Sequence, residues 1–165
     1  MRDALHREKI QARTLHANLA YDIIYDMKLV LDTDVVVAAV RSPAGASAEL
    51  LRLARHGRFQ PVVSVPLILE YEAVTTRDEI LVASGLNQNE VQMILDVIVR
   101  VSEWTRIHYT YRPMTRDPGD EMVLEAALNS GADAIVTFNR RDFGRSPEQF
   151  NLGCWLPKEA LEKLR

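Results

Sequence analysis

Apolar runs too short for helices alternate along this chain with segments that carry helix start and stop signals, and this alternation restricts the fold more than any single motif does. Residues 28–31 (KLVL), 59–63 (FQPVV) and 134–137 (AIVT) are rich in branched aliphatics, the mark of strands buried on both faces. Residues 47–55 read as a helix, with Ser47 available as N-cap and Gly57 as stop signal. Ser64 and Pro66 open a second helix that carries Leu67, Ile68, Leu69, Tyr71 and Val74, with Glu70 in its middle. Asn87 or Asn89 caps a third, whose apolar residues Val91, Ile94, Leu95, Ile98 and Val101 recur at spacings of three and four. Residues 120–130 form a fourth, closed by Gly131, and Pro157 starts a terminal one. Residues 104–109 and 152–156 complete the strands, and 41–45 and 113–119 are turn-rich loops. Strands separated by helices pair in parallel, so the expected fold is α/β, a three-layer α/β/α arrangement around a central parallel sheet.

At 165 residues the chain is long enough for one well-filled core and too short for two. A net charge of −3 argues against a broad basic surface that would hold nucleic acid by phosphate neutralisation alone; local basic patches or a bound metal leave that function open. Cys154 is the single cysteine, which excludes an intramolecular disulfide and a multi-cysteine zinc site and leaves it a small apolar group. No apolar stretch reaches the roughly 20 residues needed to span a bilayer, since Asp32 and Asp34 interrupt the best one. The polar start of the chain lacks the apolar segment of a secretory signal, so the expected location is cytoplasmic. Residues 1–26 read as an N-terminal extension before the domain of residues 27–165: an appended helix, a partner-binding arm, or translation from an upstream start.

Asp32 stands at the C-terminal end of the first strand, the edge at which open α/β sheets bind ligands. The turn from Asn139 to Asp142 follows another strand and belongs to the same edge, and Asp120, near the start of its helix, can face it. Each residue has a local alternative. Asp120 can cap its helix, Glu70 can be a solvated helix charge, and Asp34 can either bind a metal or accept backbone hydrogen bonds at the turn. Thr137 can bond a ligating carboxylate or serve as an ordinary strand-end hydroxyl. Carboxylates converging without a cation repel one another and raise at least one pKa, a penalty that a divalent ion reverses. Oxygen-only ligands suit Mg²⁺ or Mn²⁺, and the scattered His6, His16, His56 and His108 suggest no zinc triad. Phosphodiester hydrolysis is the natural chemistry of such a site, because the cation activates water and stabilises charge on the reacting oxygens. Arg41, Arg116, Arg140, Arg141 and Arg145 are candidates to position phosphates from loops near that edge, and Tyr109 and Tyr111 either stack a base or pack at a strand end.

The segments LVLDTDVVVAAV, SVPLILEYEAV, DPGDEMVLEAALNSGADAIVTFNRRDF and WLPKEAL together make the chain, from about Lys28 onward, resemble PIN-domain proteins of the kind that act as ribonuclease toxins in toxin-antitoxin pairs. The resemblance implies a Mg²⁺- or Mn²⁺-dependent endoribonuclease with Asp32, Glu70 and Asp120 as its acids and Asp117 just ahead of Asp120. Many members carry an aspartate directly after the strand that ends at Thr137. Here Asp142 takes that part, with Asn139 as a neutral substitute, and Asp34 stands where an asparagine is common. It further implies RNA as substrate, a small antitoxin partner and a homodimer. Two rivals remain at this point. Asp32-Thr33-Asp34 also fits the nucleophile motif of haloacid-dehalogenase phosphatases, although the order of the later elements disagrees. A catalytically weak PIN-like RNA-binding module is the other, with Asn139 as its supporting feature.

Overall fold

The first strand, β1 (Lys28–Leu31), is flanked on both sides, with β2 (Gln60–Val63) and β4 (Ala134–Val136) pairing to it in parallel. The computed structural model describes residues 27–110 and 112–165, so the expectations for residues 1–26 and for Tyr111 lie outside the described residues. Adding β3 (Glu103–Trp104) beyond β2 and β5 (Gly153–Trp155) beyond β4 gives one five-stranded parallel sheet of order β3-β2-β1-β4-β5. The connections are helical: α1 (Thr33–Arg41), α2 (Ala46–Arg55), α3 (Val65–Thr75), α4 (Asp78–Ser84), α5 (Gln88–Val101), α6 (Glu121–Ser130), the short α7 (Ser146–Gln149) and α8 (Pro157–Lys163). This is the three-layer α/β/α architecture. Its consequence for function lies in the strand order: the chain builds outward from β1 through β2 to β3, then returns to the other side of β1 with β4. The order reverses between β1 and β4, and a crevice opens beyond the strand ends at such a point.

Burial explains most of the elements. Leu29, Val30, Ile135 and Val136 have no exposed surface, as strands covered on both faces require. Asn87 and Glu90 form a reciprocal capping box at the start of α5, whose buried face is Val91, Leu95 and Ile98. Tyr71, fully buried on α3 with Leu67 and Thr75, donates its hydroxyl hydrogen to the Leu31 carbonyl and so fastens α3 to the end of β1.

Several sequence expectations need correction. The strand expected over 104–109 ends at Trp104. Thr105 N–H still bonds the Val63 carbonyl (2.8 Å), but β2 stops there and α3 begins, so no edge remains to pair with. Tyr109 is instead held by Asn129, through N–H to Oδ1 at 3.0 Å and Nδ2 to the carbonyl at 2.9 Å, and its ring is exposed rather than packed at a strand end. The cap of α2 is Gly45, not Ser47, which lies buried in the first turn. Between the expected strand and the expected loop, where no element is assigned from the sequence, the chain forms helix α1, with Val35, Val36, Ala39 and Val40 buried. Arg41 therefore ends α1 instead of sitting in a loop, about 13 Å of helix away from Asp32.

Gly153 is set by sterics. A Cβ at that position would lie 2.7 Å from a ring carbon of Trp155 and 2.8 Å from Ala134 Cβ on the neighbouring strand. Gly153→Ala is expected to cost about 1–3 kcal/mol, seen as a lower urea midpoint with an unchanged slope.

Candidate active site

Asp32 continues the β1 ladder through its own N–H to the Val136 carbonyl (2.9 Å) and then turns the chain into α1. Its carboxylate is pinned from two sides: Oδ1 accepts the Thr33 N–H and Oδ2 accepts the Thr137 hydroxyl, both at 2.6 Å. Only 5% of the residue is exposed. Burial raises its pKa, the hydrogen bonds from Thr137 and Thr33 oppose the rise, and the charge of Asp142 adds to it. Thr137, at the end of β4, thus bonds a site carboxylate across the switch point. Its oxygen also accepts the Asn139 N–H at 2.9 Å, which fixes the hydroxyl's direction.

Asp34, in the first turn of α1, accepts the Phe138 N–H on Oδ2 at 2.9 Å, the backbone role that its turn position suggested. The bond holds the loop after β4 against α1. Its other oxygen, Oδ1, is buried with no partner. Burial first, then the charge of Asp32, push the Asp34 pKa up to about 6.

Asp120 decides between a cap and a site acid. It occupies the junction between the 3-10 turn Pro118–Asp120 and α6, yet its side chain makes no capping hydrogen bond. Oδ2 is buried and unpartnered. Burial, followed by the charges of Asp32, Asp117, Asp142 and Asp34, pushes its pKa up to about 7. A carboxylate that felt only its own helix would be stabilised there instead. Asp117 does the local work, with Oδ1 accepting the Gly119 N–H at 2.9 Å.

Sequence reading missed what holds this loop. Glu121 is buried and accepts the N–H groups of Met114 (2.7 Å) and Thr115 (3.0 Å); burial alone would raise its pKa, but these donors keep it below the ordinary value. Glu125 takes Arg112 in a two-point contact at 2.8 Å each. Nothing in the spacing marks Glu121 or Glu125 as inward-facing, since acids one turn apart normally read as a solvated helix face.

Asp142 is half-buried, and its backbone is anchored by its N–H to the Asn139 carbonyl (3.0 Å) and by its own carbonyl to the Arg116 N–H (2.7 Å). Its charge reaches both Asp32 and Asp120. Asn139 is exposed and contributes its backbone N–H. Glu70 lies half-buried beside Tyr71, whose hydroxyl feels Asp32 and Asp34, while the principal charges on the three raised aspartates come from other aspartates.

The loop that follows β4 lines two clefts. Phe138, Asn139, Arg140, Arg141, Asp142 and Leu156 line one of about 490 Å³. Arg116, Arg140, Arg141 and Arg145 line an open one of about 620 Å³. Arg140 is paired with Glu159 at 3.0 Å and Arg145 more loosely with Glu148 at 3.8 Å.

The donor set fits a hard divalent cation. Two buried carboxylate oxygens accept nothing, two carboxyls are pushed toward neutrality by burial and then by neighbouring carboxylates, and all the candidate ligands are oxygens. Among the described residues no three His, Cys, Asp or Glu side chains are gathered closely enough to cage an ion alone. Mg²⁺ does not require such a cage, because it keeps several waters and binds through one or two carboxylates.

A parallel α/β/α fold with aspartates at the switch point defines the class, and a family model for the PIN domain matches residues 28–141. The chain belongs to the PIN-domain family, whose members are in general nucleases. Among solved structures it is similar to VapBC2 from Rickettsia felis, crystallised bound to a DNA fragment from its promoter. The TM-score is 0.52 at 15% sequence identity, over 78% of this chain and 97% of that one. At this identity the likeness is one of fold. No curated protein matches the sequence significantly. No described helix is long and apolar enough to cross a membrane. The phosphatase alternative loses its ground with the family assignment.

Proposed function

We propose that the domain of residues 27–165 is an endoribonuclease that hydrolyses RNA phosphodiester bonds with Mg²⁺ or Mn²⁺. The observation that carries this reading is Asp120: its buried oxygen has no hydrogen-bond partner, and its carboxyl is lifted by burial first and then by the charges of Asp32, Asp117 and Asp142. Asp32 and Asp120 are the principal ligands, with Asp142 and Glu70 completing the pocket directly or through water. When bound, the ion supplies a water nucleophile at neutral pH and charge stabilisation on the attacking and leaving oxygens. Thr137 orients the Asp32 carboxylate, Asn139 in turn holds Thr137 through its backbone, and Asp117 shapes the turn that presents Asp120. Arg140 and Arg141, with Arg116 and Arg145, position the phosphates of the strand, and Arg41, at the end of α1, is a further candidate.

In the same reading the protein is the toxin of a toxin-antitoxin pair in the cytoplasm, restrained by a small antitoxin and assembled as a homodimer. The fold shared with VapBC2 supports this. Titration of Mn²⁺ into the protein with labelled structured RNAs and a DNA control is expected to give saturable, ion-dependent cleavage of RNA. Ion binding without cleavage of any RNA would instead make the protein the binding module that Asn139 suggested.

A further inference from the structure

Asp120 and Asp142 belong to elements far apart in the chain, the start of α6 and the loop after β4, and an ion shared between them needs both at one point. The segment 114–116 runs between the two and bonds to each side through consecutive N–H groups. Met114 and Thr115 donate theirs to Glu121 Oε1 at 2.7 and 3.0 Å, and Arg116 donates the next to the Asp142 carbonyl at 2.7 Å. Glu121 directly follows Asp120 and is only 3% exposed. The segment is held from a second side by Ser146, at the start of α7, whose hydroxyl donates to the Met114 carbonyl. The turn leading back to Asp120 is closed as well. Thr115 Oγ1 donates to the Asp117 carbonyl at 2.6 Å, and that carbonyl also accepts the Asp120 N–H at 3.0 Å.

A carboxylate suits this junction, because one of its oxygens can accept two N–H groups and its charge strengthens both bonds. The nearby Arg112 is occupied by Glu125, with two bonds of 2.8 Å, so Glu121 is left to the backbone. We propose that Glu121 is a positioning residue: through residues 114–116 it fixes the separation of Asp120 and Asp142, and with it the affinity of the site for its divalent ion. The ion in this inference rests on the nuclease reading; the linkage rests on the hydrogen bonds alone. Groups that orient metal ligands from behind are commonly worth about 10–100-fold in metal affinity.

The test uses the full chain and two readouts, neither of them cleavage. Amide hydrogen exchange in metal-free protein reads the linkage, and Mn²⁺ titration followed by electron paramagnetic resonance reads the ion. In Glu121→Ala the amides of Met114 and Thr115 lose their acceptor and exchange faster. The Arg116 amide keeps its own acceptor, the Asp142 carbonyl, so its protection falls only if Glu121 holds the segment in place. Expected are lost protection at Arg116 and Mn²⁺ affinity about tenfold lower. Glu121→Gln, which keeps an acceptor oxygen, should stay close to the parent in both readouts. Glu121→Asp, which keeps the charge but draws the oxygen back by one methylene, should move both in the direction of Glu121→Ala by a smaller factor, and it serves where the alanine variant does not fold. Unchanged protection at Arg116, or unchanged Mn²⁺ affinity once that protection is lost, overturns the positioning role even if the protein cleaves RNA. A parent that binds no Mn²⁺ overturns the nuclease reading and the role with it.

Discussion

Asp32→Asn is expected to lower Mn²⁺-supported RNA cleavage by roughly 10²–10³-fold while the fold survives. The asparagine can keep both local contacts. Its oxygen faces the Thr33 N–H, and its amide faces Thr137, whose hydroxyl turns from donor to acceptor. Because burial already disfavours the charged form of Asp32, a neutral side chain of the same shape fits the site without a large loss of stability. The missing charge matters only when an ion or a transition state needs it. Single-turnover cleavage together with a thermal melt separates the two effects, and unchanged cleavage would remove Asp32 from the site.

Asp120→Asn should move stability and activity in opposite directions. The Asp120 pKa is about 7 in the folded chain against an ordinary 3.8, so the unfolded chain gives up its proton first as pH rises. Stability from the protonated carboxyl is therefore fully present below about pH 4 and lost as pH passes through about 7. Neutralising the residue removes that loss. Discounted for its partial exposure, the gain is about 1–2 kcal/mol in metal-free protein at pH 8, or some 3–6 °C in melting temperature, and nothing at pH 4. Mn²⁺ should raise the melting temperature of the parent at pH 8 and do so much less for the variant, while cleavage by the variant falls about 100-fold. A variant no more stable than the parent at pH 8 would mean that neither burial nor the neighbouring charges disfavour the ionised Asp120.

The site was legible where strand ends announced themselves. Asp32 after LVL and Thr137 after AIV needed only the rule that parallel sheets bind ligands at their C-terminal edge, and the structure joins the two side chains. Asp120 is ambiguous in sequence because an acid at a helix start has a local use, and the structure shows that its side chain makes no capping bond. The valines after Asp34 carry strand-like composition into α1, since burial on one helical face outweighs their intrinsic preference. The shortness of β3 depends on where its neighbour β2 ends, which no local pattern encodes. Ser47 reads as a cap because a serine before an apolar run usually is one, and its burial depends on tertiary packing that no local pattern encodes.

Anomalous scattering from crystals grown in Mn²⁺ addresses the shared ion most directly. A peak is expected within about 2–2.5 Å of carboxylate oxygens of both Asp32 and Asp120. Saturating Mn²⁺ that leaves no peak there, or that binds Asp120 and Asp32 to no common ion, would contradict it.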